Sequence, residues 1–164
     1  MITLKNVLVA TDFGEAADAA LLYGLTIARK FGATLHVLHV ANAVFSQALG
    51  PETLTLPTLQ SDIENAARVR LAELLTDSDG SGPPTKPVVF TASSPSFTIV
   101  DYARDNNIDL IVTGTHGYTA LKHALLGSVA ERVVRMAPCP VLTIHHPEHE
   151  FVRPDTLVAA SAVR

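Results

Sequence analysis

Five short apolar runs alternate along the chain with four stretches of helical periodicity, and this alternation limits the fold more than any other feature of the sequence. The runs are Asn6 to Ala10, Thr34 to Val40, Val88 to Ala92, Leu110 to Thr113 and Pro140 to His145. They are rich in β-branched and aliphatic residues and read as strands, the first and fourth buried on both faces. Between them, Glu15 to about Lys30 gathers Ala17, Ala20, Leu21, Gly24, Leu25 and Ala28 on one helical face, with Gly32 as the C-terminal cap. Leu59 to Leu75 does the same with Ile63, Ala67, Leu71, Leu74 and Leu75. Ser94-Pro95 opens a third helix with Ile99, Val100 and Ala103 inward, and Ser128-Val129-Ala130-Glu131 has the spacing of a capping box ahead of Val133 and Met136. Strand and helix in strict alternation require right-handed crossovers, hence an α/β open parallel sheet with helices on both faces.

In sheets of this kind ligands bind beyond the carboxyl ends of strands, where the strand order reverses. The residues there are therefore the first candidates for chemistry. After Leu110–Thr113 the chain runs Gly114-Thr115-His116-Gly117, continues through nine residues and reaches Gly127-Ser128 at the head of the fourth helix. Glycines at those points let backbone N–H groups close around an anion, and a helix N-terminus adds donors of its own. The loop lacks the lysine of a P-loop and the glycine spacing of a dinucleotide site. Asp12, at the end of the first strand, is suited to accept hydrogen bonds from a ribose or a base; the same position also allows a helix-capping role, three residues before Glu15.

The spacing Gly114, two residues, Gly117, nine residues, Gly127-Ser128 resembles the ATP-binding signature of the universal stress protein family. The likeness continues through Val129-Ala130-Glu131-Arg132-Val133 and Ala137-Pro138-Cys139-Pro140-Val141-Leu142, and reappears in Val7-Leu8-Val9-Ala10-Thr11-Asp12-Phe13. It spans roughly nine-tenths of the chain, in outline only between positions 41 and 95. Gly14 stands where that family usually carries serine. The resemblance implies a Rossmann-like or flavodoxin-like five-stranded sheet in the order 3-2-1-4-5, which places Asp12 opposite Gly114. It also implies an ATP-binding, stress-response homodimer joined through the edge strand Val141–Ile144, and the lone cysteine with no signal-peptide layout makes a cytoplasmic protein the expectation. By the same resemblance Ala10, Thr11 and Asp12 line the nucleoside, and Val40 offers its main chain to adenine. Thr113, Gly114, His116, Gly117, Gly127, Ser128 and Val129 complete the nucleotide site: the amides of Gly117, Gly127, Ser128 and Val129 and the Ser128 hydroxyl bind the triphosphate, His116 holds the loop by a structural hydrogen bond, and magnesium or manganese is held through the phosphates themselves.

Composition narrows the alternatives. A 48% hydrophobic chain of 164 residues is expected to fold as one domain, here 1–146 followed by a peripheral or disordered tail at 147–164. A formal charge of −4 leaves no basic surplus for nucleic acid. The single cysteine, Cys139, excludes an internal disulfide and is expected to be buried and inert, and neither a signal-peptide layout nor a membrane-length apolar run is present. Asp12, His116 and His123 are the acid–base candidates near the loop, and the sequence shows no partner for any of them, so no catalytic residue is assigned and efficient phosphoryl transfer is not expected. Two alternatives stay open beside an ATP-binding regulator: a slow ATPase or nucleotide-cleaving enzyme, and a nucleotide-free dimeric interaction module. Lys122 and His123 read as solvated loop residues, and His145, His146 and His149 as a surface cluster instead of a metal site.

Overall fold

A computed structural model describes residues 1–43, 56–76, 82–115 and 126–145. Its elements are β1 (Asn6–Thr11), α1 (Glu15–Phe31), β2 (Thr34–Asn42), α2 (Leu56–Leu74), β3 (Thr85–Ala92), α3 (Pro95–Asp105), β4 (Leu110–Gly114), α4 (Ser128–Met136) and β5 (Val141–Ile144). All neighbouring strands pair in parallel, in the order β3-β2-β1-β4-β5, as the resemblance implies.

The three central strands carry their apolar residues to both faces. Val7, Val9, Leu35, Val37 and Val112 meet α1 and Leu71 of α2 on one side. Leu8, Ala10, Leu38 and Ile111 meet Ile99 and Ala103 of α3 and Val133 of α4 on the other. Val7, Leu8, Leu35 and Ile111 have no solvent exposure, which explains their unbroken hydrophobicity. Small residues on α1 bring it close to the sheet: a Cβ at Gly24 would fall inside the side chain of Val9.

Several boundaries differ from the sequence reading. β3 starts at Thr85 and runs through Pro87, which its place at the sheet edge permits because one side of that strand has no ladder to break. β2 extends to Asn42, and α2 begins at Leu56 instead of Leu59. Gly14, not Asp12, is the N-cap of α1, and Gly127, not Ser128, is that of α4, with no side-chain cap bond at either. Gly32 does end α1 in the left-handed region, at φ 64°. Cys139 is half-buried, not buried, and desolvation pushes its thiol pKa up.

One buried group makes the fold sensitive to pH. His36 on β2 is 2% exposed; its Nδ1 bonds the hydroxyl of Tyr102 at 2.8 Å, and its Nε2 has no hydrogen-bond partner among the described residues. Burial, and then the charge of Lys86, hold its pKa below the ordinary 6.5. The unfolded chain therefore binds the proton first. Stability is complete above 6.5 and falls as the pH drops from there toward the folded value, by up to about 1.4 kcal/mol per pH unit. Urea unfolding at pH 7.5 and 5.5 is expected to show this loss in the native chain and a smaller one in His36→Leu; equal losses in the two would rule out His36 as its source.

Candidate functional site

The strand order reverses between β1 and β4, and there a cavity of about 1030 Å³ opens at the carboxyl ends of the strands. Ala10, Thr11, Asp12, Val40, Thr113, Gly114, Gly127, Ser128 and Val129 all line it. The structure thus brings together nine of the residues singled out by sequence. His116 and Gly117, like Lys122 and His123, lie outside the described residues, as do His146, His149 and the tail at 147–164.

The first wall is the turn after β1. Asp12 Oδ1 accepts the Gly14 N–H at 3.0 Å, and Thr11 Oγ1 accepts the Phe13 N–H at 3.0 Å. These side chains take over donors that the strand no longer uses. Gly14 O then accepts from Ala17 and Asp18 to begin α1.

The second wall is the free end of β2. Thr34 N–H donates to Lys5 O and Leu35 N–H to Pro84 O, so even-numbered residues of β2 turn their main-chain groups toward β1 and odd-numbered ones toward β3. Ala43 N–H donating to Ala92 O keeps that phase to the end of the strand. Pairing with β1 stops at Thr11 opposite His39, whereas pairing with β3 runs on to Asn42 opposite Ala92. The Phe13 N–H that would continue the β1 ladder is held by Thr11 instead. The Val40 carbonyl and the Asn42 N–H consequently point past the end of β1 on the cavity side.

The third wall is the head of α4. Its intrahelical ladder begins with Glu131 N–H to Gly127 O at 2.9 Å, leaving the amides of Ser128, Val129 and Ala130 without an acceptor inside the helix. Gly127 N–H, by contrast, donates to Thr115 O at 2.6 Å, and Thr115 N–H to Ile144 O at 2.7 Å. Gly127 therefore fastens the two ends of the glycine loop, and its amide is not one of the donors facing an anion. Thr115 is 7% exposed and its hydroxyl meets Nδ1 of His145 at 3.2 Å, so His145 serves the loop's base. Gly114 has a packing reason as well: a Cβ there would stand 2.9 Å from the Ala16 carbonyl carbon, oxygen and Cβ.

Among the other lining residues, three carry no sequence signal of a role in the site. His39, Phe13 and Arg70 come from β2, the turn after β1 and α2. The rings of His39 and Phe13 lie 4.4 Å apart, and the Arg70 guanidinium stands 4.6 Å from the Phe13 centroid. Arg70 falls off the apolar stripe of α2, where an arginine reads as a solvated residue. Among the described residues no His, Cys, Asp and Glu side chains gather as a metal site.

Comparison with known proteins agrees with this geometry. A sequence model of the Universal stress protein family matches residues 3–145. The chain is 31% identical over 149 residues to universal stress protein MJ0531 of Methanocaldococcus jannaschii, covering 89% of this chain and 85% of that one. Among solved structures, UspA from Lactobacillus plantarum superposes with a TM-score of 0.70 at 32% identity, covering 88% of this chain and 99% of that one. The hypothetical protein MJ0577 superposes at 0.73 and 27% identity over 90% of this chain and all of that one. The fold is shared too by a universal stress protein in complex with cAMP (TM-score 0.58, 20% identity) and one from Archaeoglobus fulgidus in complex with dAMP (0.53, 21%).

Proposed function

As the chain belongs to the universal stress protein family, we propose that it is an ATP-binding regulatory protein whose nucleotide site is the cavity at the β1/β4 reversal. One observation carries this reading. A helix end whose first amides have no acceptor within the helix shares a cavity with a main-chain edge that presents an acceptor and, two residues on, a donor. An adenine edge is the complement of that pair: its 6-amino group donates and its N1 accepts. Guanine presents the opposite polarity and would leave both main-chain groups unsatisfied.

In this reading the Val40 carbonyl and the Asn42 amide hold the base, while Ala10 and Thr11 line the nucleoside and Asp12 accepts from the ribose. The amides of Ser128 and Val129 and the Ser128 hydroxyl hold the triphosphate, joined by the amide of Gly117, and His116 is assigned to holding the loop. Thr113 and Gly114 form the floor, and Gly127 keeps the loop closed. Magnesium or manganese rides on the phosphate oxygens, as hard cations do in nucleotide sites built without an all-protein cage. The role is binding, and no catalytic residue is proposed. The nucleotide complexes formed by two proteins of this fold support the capacity of the architecture for an adenine nucleotide.

The functional unit proposed is a homodimer. β5 is the last strand of the described sheet and pairs with β4 on one side, so a second copy of Val141–Ile144 can complete its other side in antiparallel fashion. The domain is assigned to 1–146, with 147–164 as an appendage.

Size exclusion with light scattering, followed by mass spectrometry of the same peak, tests both parts. The expected result is twice the chain mass of 17.4 kDa, with an adenine nucleotide carried or taken up, and GTP bound about tenfold more weakly than ATP. A monomer at micromolar concentration would remove the dimer. No uptake of ATP at millimolar concentration would remove the nucleotide site.

A further inference from the structure

The turn between β1 and α1 holds a backbone conformation that its own residue disfavours. Phe13 sits at φ 63°, in the left-handed region, where a bulky aromatic side chain is strained. Such a conformation persists only when surrounding contacts over-determine it. Two come from the turn itself, through Thr11 Oγ1 and Asp12 Oδ1. The others come from distant parts of the chain. His39 donates Nδ1–H to Thr11 O at 2.9 Å and lays its ring against Phe13. Arg70 places its guanidinium over the Phe13 ring and donates from Nη2 to the Phe13 carbonyl at 3.3 Å.

The anchor for Arg70 is rigid. α2 buries Ala67 and Leu71 against the sheet, and Glu64, on the same helix as Arg70, accepts the Thr91 hydroxyl of β3 at 2.6 Å. The same arginine lines the cavity beside Asp12. We infer that Arg70 is a positioning residue for the nucleoside half of the site: by gripping both the ring and the carbonyl of Phe13, it locks the left-handed turn that presents Asp12 to the ligand. This inference rests on the nucleotide reading above. A planar fork suits the task, because one guanidinium stacks on a ring and still donates in its own plane, which an ammonium does less well.

Position within the cavity makes the inference specific. Arg70 acts through the turn after β1, whereas the donors for phosphate belong to α4, so its loss is felt by the nucleoside and not by the phosphates. Arg70 is itself exposed, and its replacement leaves the core intact.

The test titrates adenosine and inorganic tripolyphosphate separately into the native protein, R70A and R70K, and records the amide shifts of Phe13 and Gly14 without ligand. R70A is expected to bind adenosine about tenfold more weakly, with tripolyphosphate affinity unchanged and both amide shifts displaced. R70K is expected to recover part of the adenosine affinity. Equal loss of both ligands, or an adenosine affinity unchanged in R70A, would overturn the inference while leaving the nucleotide site standing. Unmoved Phe13 and Gly14 shifts in R70A would overturn it without reference to any ligand. Uptake of neither ligand by the native protein would overturn the nucleotide reading and this inference together.

Discussion

Ser128→Asp is expected to make the protein more stable and nearly unable to bind ATP, two effects of opposite sign from one substitution. Ser128 is the first residue of α4 and is exposed. A carboxylate there opposes the helix dipole and meets the first-turn amides that have no acceptor within the helix, which stabilises the folded chain by about 0.3–1 kcal/mol. It also occupies the place assigned to the triphosphate. Two unit charges about 4 Å apart near a protein surface repel by roughly 4 kcal/mol, and water screening at this exposed position leaves a loss of about hundredfold in affinity. Thermal unfolding of the nucleotide-free protein and calorimetric titration with ATP measure the two sides. Undiminished ATP affinity would move the phosphates away from α4. A drop in stability would mean that this helix end is satisfied by something other than an anion.

Gly114→Val is expected to damage both the fold and the site, for a reason distinct from phosphate binding. The added Cβ would meet Ala16 main-chain atoms at 2.9 Å, and backbone, unlike the tip of a long side chain, does not swing aside. The first turn of α1 must lift from β4. Overpacking of this kind costs roughly 2–3 kcal/mol, and for a domain of this size that lowers Tm by roughly 5–10 °C. Because α1 follows directly from the turn bearing Asp12, ATP affinity is expected to fall as well. Differential scanning calorimetry decides the matter: an unchanged Tm with weakened ATP binding would restore Gly114 to a purely phosphate-facing role.

These substitutions show how differently the signature residues were legible. That Gly114, Gly127 and Ser128 mark a loop between a buried strand and a helix was readable, because glycine spacing, β-branched content and a hydrophilic helix start are local properties. Their separate duties were not. Gly114 answers to Ala16 across the sheet, and Gly127 to the carbonyl of Thr115, which itself depends on β5. Ser128 carries the spacing of a capping box, yet the cap falls one residue earlier, because Gly127 O begins the helix ladder and Ser128 already has helical geometry. Asp12 was legible as a strand-end carboxylate, but its Oδ1 holds the Gly14 amide within the turn instead of capping α1. β3 is longer than its apolar run because Lys86 and Pro87 interrupt that pattern, a tolerance that an edge position grants.

Local patterning dictates the alternation of strands and helices, the two-sided burial of the central strands and the point at which a glycine loop meets a helix. All of these follow from periodicity and backbone freedom within a few residues. Which main-chain groups of β2 outrun β1, and why Phe13 holds a left-handed backbone, depend on how the assembled elements meet. Tertiary packing also brings Arg70, 57 residues from Phe13 along the chain, to the wall of the same cavity. The physical reason is that strand phase and ring stacking are set by pairing partners far apart in sequence, and no local pattern records the distance at which two elements meet.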